Sequence, residues 1–435
     1  MREQPTRSQR KQSESPRKKG FWRSIALGLI TGAADDDPSA IGTYASAGAK
    51  FGFSFLWTVP FLFPMMFAVV YLASKLGQVA GEGLFAVVER HYPRWFLYII
   101  LTGVLVGNIF EAAADIGGMA AAINVLAPVP QPVTVVAVGA AVLALQVWGS
   151  YALIRNIFRW LALALLAYLA SALLARPALL PTLKGTFIPT IQFNREFLAL
   201  LVAAIGCSLS AYIFTWQSNE EVEEQIEMGR TKVSERRGAS DEELKLTRRD
   251  VTFGMLFSSL IIYFIVLSTA ATLFQSGKHD IQSAAEAAAA LAPLAGRAAG
   301  ILFAVGVVAV GFLAVPVMTA GAAYDLCQTF RWRHGLHAKP SEAKEFYIAI
   351  AVCTAIAVAI NFLGINPMQA LVWAGIVQGF STPPLFLLIM RLTNNRRVMG
   401  DQVNSRALNV LGWLTTAAIF SASAGLVLSW IFGSE

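Results

Sequence analysis

The sequence predicts an all-α membrane protein of eleven transmembrane helices, arranged as a five-plus-five inverted repeat whose first and sixth helices are broken. Three observations predict it. The 435 residues are 56% hydrophobic and only 14% charged, which sets the chain apart from an ordinary soluble enzyme and from a disordered polymer. Apolar runs of about 20 residues, enough to span a bilayer, recur along nearly the whole length. The basic residues alternate in register with those runs. With the N-terminus inside, 28 of the 34 Lys and Arg fall on inside segments and six on outside segments.

The elements follow in order. Residues 1–24 are polar and basic, with Arg2, Arg7, Arg10, Lys11, Arg17, Lys18, Lys19 and Arg23. The apolar stretch that follows ends in three aspartates without a small-residue cleavage site. The segment therefore reads as a cytoplasmic tail that can touch anionic lipid, not as a signal peptide. Residues 25–435 form one transmembrane domain. Span one covers 24–49, span two 53–76, span three 95–126, span four 132–148, span five 157–174 and span six 196–216. Spans seven to eleven cover 251–274, 298–326, 346–362, 368–390 and 408–432. Residues 433–435 then lie outside.

The longest inside loop, 219–250, is cytoplasmic in this scheme. Its acidic start, 220–227, is expected to be a short amphipathic helix whose glutamates favour a solvated helix N-terminus; a cation vestibule is the alternative. The alanine-rich outside stretch 283–291 is expected to be helical. His334 and His337 share a loop with Arg331, Arg333 and Lys339, which would repel a metal.

Function classes narrow accordingly. The net charge of +7 is accounted for by membrane topology, so no nucleic-acid partner is inferred. Cys207, Cys327 and Cys353 show neither metal-site spacing nor a secreted disulfide framework. With no nucleophile–base pair, no nucleotide motif and four histidines, the chain does not read as an enzyme and no resident cofactor is expected.

Span one carries the strongest chemical signal: Gly32-Ala33-Ala34-Asp35-Asp36-Asp37-Pro38-Ser39-Ala40-Ile41-Gly42. Ionisable residues at membrane depth are costly and mark functional sites. Pro38 breaks the helical ladder, and Gly32 and Gly42 are expected to loosen the backbone on either side. Asp37-Pro38 is also a plain helix start, with Asp as N-cap and Pro at the first helical position. That reading accounts for one aspartate and leaves two. Freed carbonyls and carboxylates suit a hard cation. Span six offers a weaker break around Gly206-Cys207-Ser208-Leu209-Ser210-Ala211-Tyr212, without proline. Spans one and six lie five apart and run antiparallel, so an inverted repeat brings both breaks to one midplane site.

Asp37-Pro38-Ser39-Ala40, followed by Ala47-Gly48-Ala49-Lys50-Phe51-Gly52-Phe53 and Leu56-Trp57, resembles the first-helix signature of the NRAMP divalent-metal transporters. That signature reads Asp-Pro-Gly-Asn, then Gly-Ala-Gln-Phe-Gly-Tyr and Leu-Leu-Trp. Weaker likenesses follow at Glu111 to Gly117, at Thr319-Ala320-Gly321-Ala322-Ala323-Tyr324 and at Arg396-Arg397-Val398-Met399-Gly400. The resemblance implies a secondary transporter of the bacterial inner membrane that imports a divalent metal ion by alternating access. It also implies a metal held by the Asp and Asn of the first helix, and by a backbone carbonyl and a Met of Ala-x-x-Met-Pro-His in the sixth.

Only part of that ligand set is present. Asp37 matches, whereas the Asn position is Ala40. The carbonyl falls on Cys207, the Met position is Ser210, the Pro is Ala211 and the His is Tyr212. The chain thus resembles the divergent, magnesium-transporting branch of the family. Without a thioether, a hard ion is expected, magnesium or manganese, held with its waters. The Cys207 thiol is the rival ligand that would admit softer metals.

The expected metal-site residues are Asp37 first, then Asp36, Cys207, Ser210 and Gln378, with Ser208 as a further hydroxyl. Asp35 joins Glu111 and Asp115, four apart on one helix face, as the expected proton path. The alternatives are symport of a small organic solute on the same architecture and, less favoured for want of a large soluble domain, a membrane receptor.

Overall fold

The computed structural model describes residues 31–148 and 167–432. The basic tail, the start of span one, residues 157–166 of span five and the C-terminal tripeptide lie outside the described residues. Among the described residues there is no β-strand, and nine helices are long and apolar enough to cross a membrane. They coincide with spans two to four and six to eleven. Spans one and five are described in part, as residues 31–51 and 167–174.

The long helices are α1 (Pro38–Phe51), α2 (Thr58–Ala80), α4 (Arg94–Leu126), α5 (Gln131–Trp148), α7 (Arg195–Ser208), α8 (Ala211–Glu227), α9 (Asp241–Thr269), α11 (Ala299–Phe330), α12 (Lys344–Ile360), α13 (Pro367–Thr393) and α14 (Arg406–Phe432). Short helices α3 (Leu84–His91), α6 (Leu179–Phe187) and α10 (Ala284–Ala288) lie in the connections. Burial sorts them into layers. Span six, α7 with α8, has 89% of its apolar window buried, whereas α5 and α14 have 33%. The outer helices turn residues such as Val410, Leu414 and Leu428 outward, as a lipid-facing surface requires.

The core packs closely because glycines allow backbones to meet. A Cβ at Gly206 would lie 1.8 Å from the Gly375 carbonyl oxygen, so α7 and α13 touch along their main chains. Gly32 and Gly42 play the same part, contrary to expectation. Both sit in helical residues. A Cβ at Gly32 would lie 2.2 Å from the Gly254 oxygen, and one at Gly42 2.8 Å from Leu371. They permit close approach and do not loosen the chain.

Prolines inside helices leave carbonyls to be satisfied elsewhere. Pro383 cannot donate to Gly379, and the Ser423 hydroxyl of α14 bonds that oxygen at 2.9 Å instead.

The acidic stretch 220–227 also differs from expectation. It is the last part of α8, so it forms a helix C-terminus, where the macrodipole opposes acids. Tertiary partners compensate. Glu220 and Glu221 are buried, and Glu221 accepts from Ser74 and, at 3.1 Å, from Gln78 Nε2.

Candidate functional site

The helical residues 31–35 end at Asp35, and α1 begins at Pro38, so span one is interrupted at Asp36 and Asp37. Asp37 is the N-cap of α1: its Oδ1 accepts from the Ala40 amide at 2.7 Å. The helix-start reading of this residue is thus what the structure shows. Capping consumes one carboxylate oxygen and leaves Oδ2 facing span six, where it accepts from the Tyr212 hydroxyl at 3.2 Å. The same hydroxyl lies 2.8 Å from the Ala34 carbonyl, which the break has freed.

Span six is interrupted at Leu209 and Ser210, between α7 and α8. The Ser210 side chain makes no cap bond to α8. It turns back to the Gly206 and Cys207 carbonyls at 2.8 and 3.0 Å, and it donates to Glu111 Oε1 at 3.1 Å. A single hydroxyl proton serves one of these at a time. The two buried helix ends at this break are satisfied from α13: the Ala211 amide, which opens α8, donates to Gln378 Oε1 at 3.2 Å, and Thr382 donates to the carbonyl of Leu209, which closes α7, at 2.8 Å.

Glu111 and Asp115 of α4 each reach one break. Glu111 accepts from Ser210 and, at 2.7 Å, from Gln378 Nε2. Asp115 Oδ1 accepts from the amide and hydroxyl of Ser39 at 2.9 and 2.8 Å. Asp35 and Asp36 point elsewhere. Asp35 Oδ2 and Asp36 Oδ1 lie 2.8 and 2.9 Å from one hydroxyl, that of Ser258 on α9. The Cys207 thiol faces Thr43 at 3.6 Å, and Ser208 pairs with Tyr44 at 2.6 Å.

All five acids are fully buried, and among the described residues none ion-pairs with a basic side chain. Nor do three His, Cys, Asp or Glu side chains converge there as a metal-binding group. The geometry sets the Asp37 carboxylate, whose oxygens accept only from a backbone amide and a hydroxyl, beside the Tyr212 hydroxyl and the freed Ala34 carbonyl, while Asp35 Oδ1, Asp36 Oδ2 and Asp115 Oδ2 carry no hydrogen bond. Such a set suits a hard cation that keeps some of its water.

Sequence reasoning missed Ser258 and the contact of Tyr212 with Asp37. Ser258 was legible as a hydroxyl pair, Ser258-Ser259, inside an apolar span. The Tyr212 contact had no local signal.

Comparison with known proteins follows the same geometry. A family model described as natural resistance-associated macrophage protein-like matches residues 28–429. The divalent metal cation transporter MntH of Klebsiella pneumoniae (strain 342) is 26% identical over 406 residues, covering 91% of this chain and 92% of that protein. MntH of Yersinia enterocolitica is 24% identical over 402 residues, covering 91% and 92%. Among solved structures, a manganese transporter of Eremococcus coleocola superposes with a TM-score of 0.74 at 18% identity, covering 97% of this chain and 91% of that one. Mhp1, a nucleobase-cation-symport-1 family transporter, gives 0.58 at 15% identity, covering 94% and 91%. These superpositions concern the fold alone.

Proposed function

The chain belongs to the natural resistance-associated macrophage protein-like family, and on that premise we propose that it is a secondary transporter importing divalent metal cations, magnesium or manganese, by alternating access. It is an integral membrane protein and a transporter, not an enzyme. The observation that carries the reading is Asp37, a buried carboxylate at the break of one span that is touched by Tyr212 from just past the break of the other.

In this reading Asp37 is the principal ligand. Asp36, the Cys207 carbonyl, the Ser210 hydroxyl and Gln378 complete the surroundings of a partly hydrated ion. Several of these groups now bond one another, so binding exchanges internal hydrogen bonds for ion contacts. Ser210 in place of a thioether, and Ala40 in place of an amide, favour magnesium or manganese over softer metals. The names of the MntH relatives agree with a divalent substrate.

Import draws on the membrane potential, which supplies roughly 4.6 kcal/mol for a divalent ion at 100 mV, from about 2.3 per charge. Tyr212 is a poor proton carrier in place of histidine, and its hydroxyl is held by Ala34 and Asp37. Coupling to protons is therefore weak or absent. Any protons that move do so over Asp35, Glu111 and Asp115. The single Ser258 proton cannot serve both Asp35 and Asp36, so the second contact is a hydrogen bond only when one carboxyl carries a proton. In this reading residues 1–24 are a cytoplasmic tail, the cytoplasmic connection expected over 219–250 consists of the end of α8, the 228–240 loop and the start of α9, and the C-terminus is outside. The positive-inside count supports that orientation, in a bacterial inner membrane.

The test is an uptake panel in proteoliposomes with magnesium, manganese, calcium and cadmium, and amino acids as controls. Saturable, potential-driven uptake of magnesium or manganese is expected. Uptake of an organic solute without any divalent ion would overturn the reading in favour of organic-solute symport.

A further inference from the structure

Away from the midplane, one buried acid has no use in the scheme above. Asp325 lies on α11, fully buried. Among the described residues it is the one buried carboxylate with neither oxygen hydrogen-bonded. The Thr215 hydroxyl is the one donor beside it among those residues, and its single proton is already engaged by the Tyr212 carbonyl at 3.1 Å. A carboxylate left in this way inside a membrane domain is costly, and such groups mark ion pathways.

Its surroundings are arranged as a seam. On α8, Thr215, Asn219 and Glu223 recur every four residues and so share one face. That face packs on α11 along Gly321, Asp325 and Gln328. A Cβ at Gly321 would come within 3.3 Å of the Thr215 hydroxyl, so the helices nearly touch just above Asp325. One turn beyond, Gln328 Nε2 donates to Asn219 Oδ1 at 2.6 Å. At the end of the seam, Glu223 accepts from Tyr324 at 2.5 Å and from the Leu336 amide at 3.1 Å. Two helices that meet through polar groups can part if water takes over the hydrogen bonds they give up, and a seam so lined is one that water and a hydrated ion can enter. The seam starts beside Tyr212, a direct neighbour of Asp37, and runs to the end of α8 that carries the 228–240 loop.

We propose that Asp325 is a second cation-binding carboxylate, a waypoint that receives the hydrated divalent ion from Asp37 when α8 and α11 part on the cytoplasmic side. The groups around it, Thr215, Asn219 and Gln328, offer neutral oxygens, the donors a hard ion with retained water prefers. One negative charge gives attraction enough to draw the ion on, and too little to hold it. The inference rests on the reading of the protein as a divalent-cation importer.

The experiment compares the full-length protein with Asp325→Asn and Asp325→Glu by calorimetric binding of manganese, manganese uptake in proteoliposomes and thermal melting. For Asp325→Asn the expected result is that the manganese site at Asp37 is retained, while uptake is slowed about tenfold or more through kcat because onward passage of the ion is lost. Its melting temperature should be equal or higher, because a buried carboxyl with neither oxygen well hydrogen-bonded has been replaced by a neutral amide of the same shape. Asp325→Glu should restore uptake to within about threefold, since it restores the carboxylate. Wild-type uptake in Asp325→Asn would overturn the proposal. So would a lowered melting temperature with loss of binding, or failure of the variant to fold, since each assigns Asp325 a structural role. If the wild-type protein neither binds nor takes up manganese or magnesium, the import reading itself fails, which is a different outcome.

Discussion

The two helix breaks face the same midplane but are held by different means. The break in span one is local. Pro38 removes a donor, and Asp37 caps the helix it opens within three residues of its own position. The break in span six has neither proline nor side-chain cap. Its loose ends are tied by Gln378 and Thr382, 167 and 173 residues away in the chain. The comparison teaches that one break is started by the sequence around it and only then tied by Tyr212 and Asp115, whereas the other has no local breaker and rests on its partners on α13. In the proposed reading this asymmetry is useful: a fixed turn would present Asp37, and a conditional one could rearrange around it.

Substitutions on α13 should therefore damage span six and spare span one. Gln378→Ala leaves the Ala211 amide without its acceptor and Glu111 with Ser210 as its remaining donor. It should cost about 3 kcal/mol, because buried groups lose their partners. Thr382→Val keeps the shape and loses only the bond to the Leu209 carbonyl, so about 1 kcal/mol is expected. Hydrogen exchange should rise at 209–213 in both variants and stay unchanged at 37–41. Equal loosening at both breaks would contradict the distinction.

A smaller effect concerns the far end of α8, again held by a distant residue. His337 Nδ1 lies 2.7 Å from Glu223 Oε2, and this contact raises the His337 pKa above its ordinary value. The stabilisation is present in full below the unfolded value, about 6.5. It is lost as pH rises through the higher folded one. Nearby His334 has the opposite sign, since burial lowers its pKa. The melting-temperature difference between wild type and His337→Gln isolates the first effect. It should be positive near pH 6 and shrink towards alkaline pH; a difference that grows with pH would contradict the assignment.

How much was legible follows from the same contrast. Asp37 and its break were legible because proline and an N-cap act on neighbouring residues. The register of spans one and six pointed to a second break near Ser210, but not to the residues that hold it. Gly32 and Gly42 were misjudged because local sequence shows a glycine's freedom and not the backbone that packs on it. The glutamates of 220–227 looked like a solvated helix start. Their partners, Ser74, Gln78 and Tyr324, lie on α2 and α11, out of reach of any local pattern.

The central claim is that the ion is held by Asp37 at the fixed break. Calorimetric titration of magnesium and manganese into the wild-type protein and into Asp37→Ala, with melting curves to show that both are folded, tests it most directly. The account predicts saturable binding to the wild type and none to the folded variant. Wild-type affinity in Asp37→Ala would contradict it.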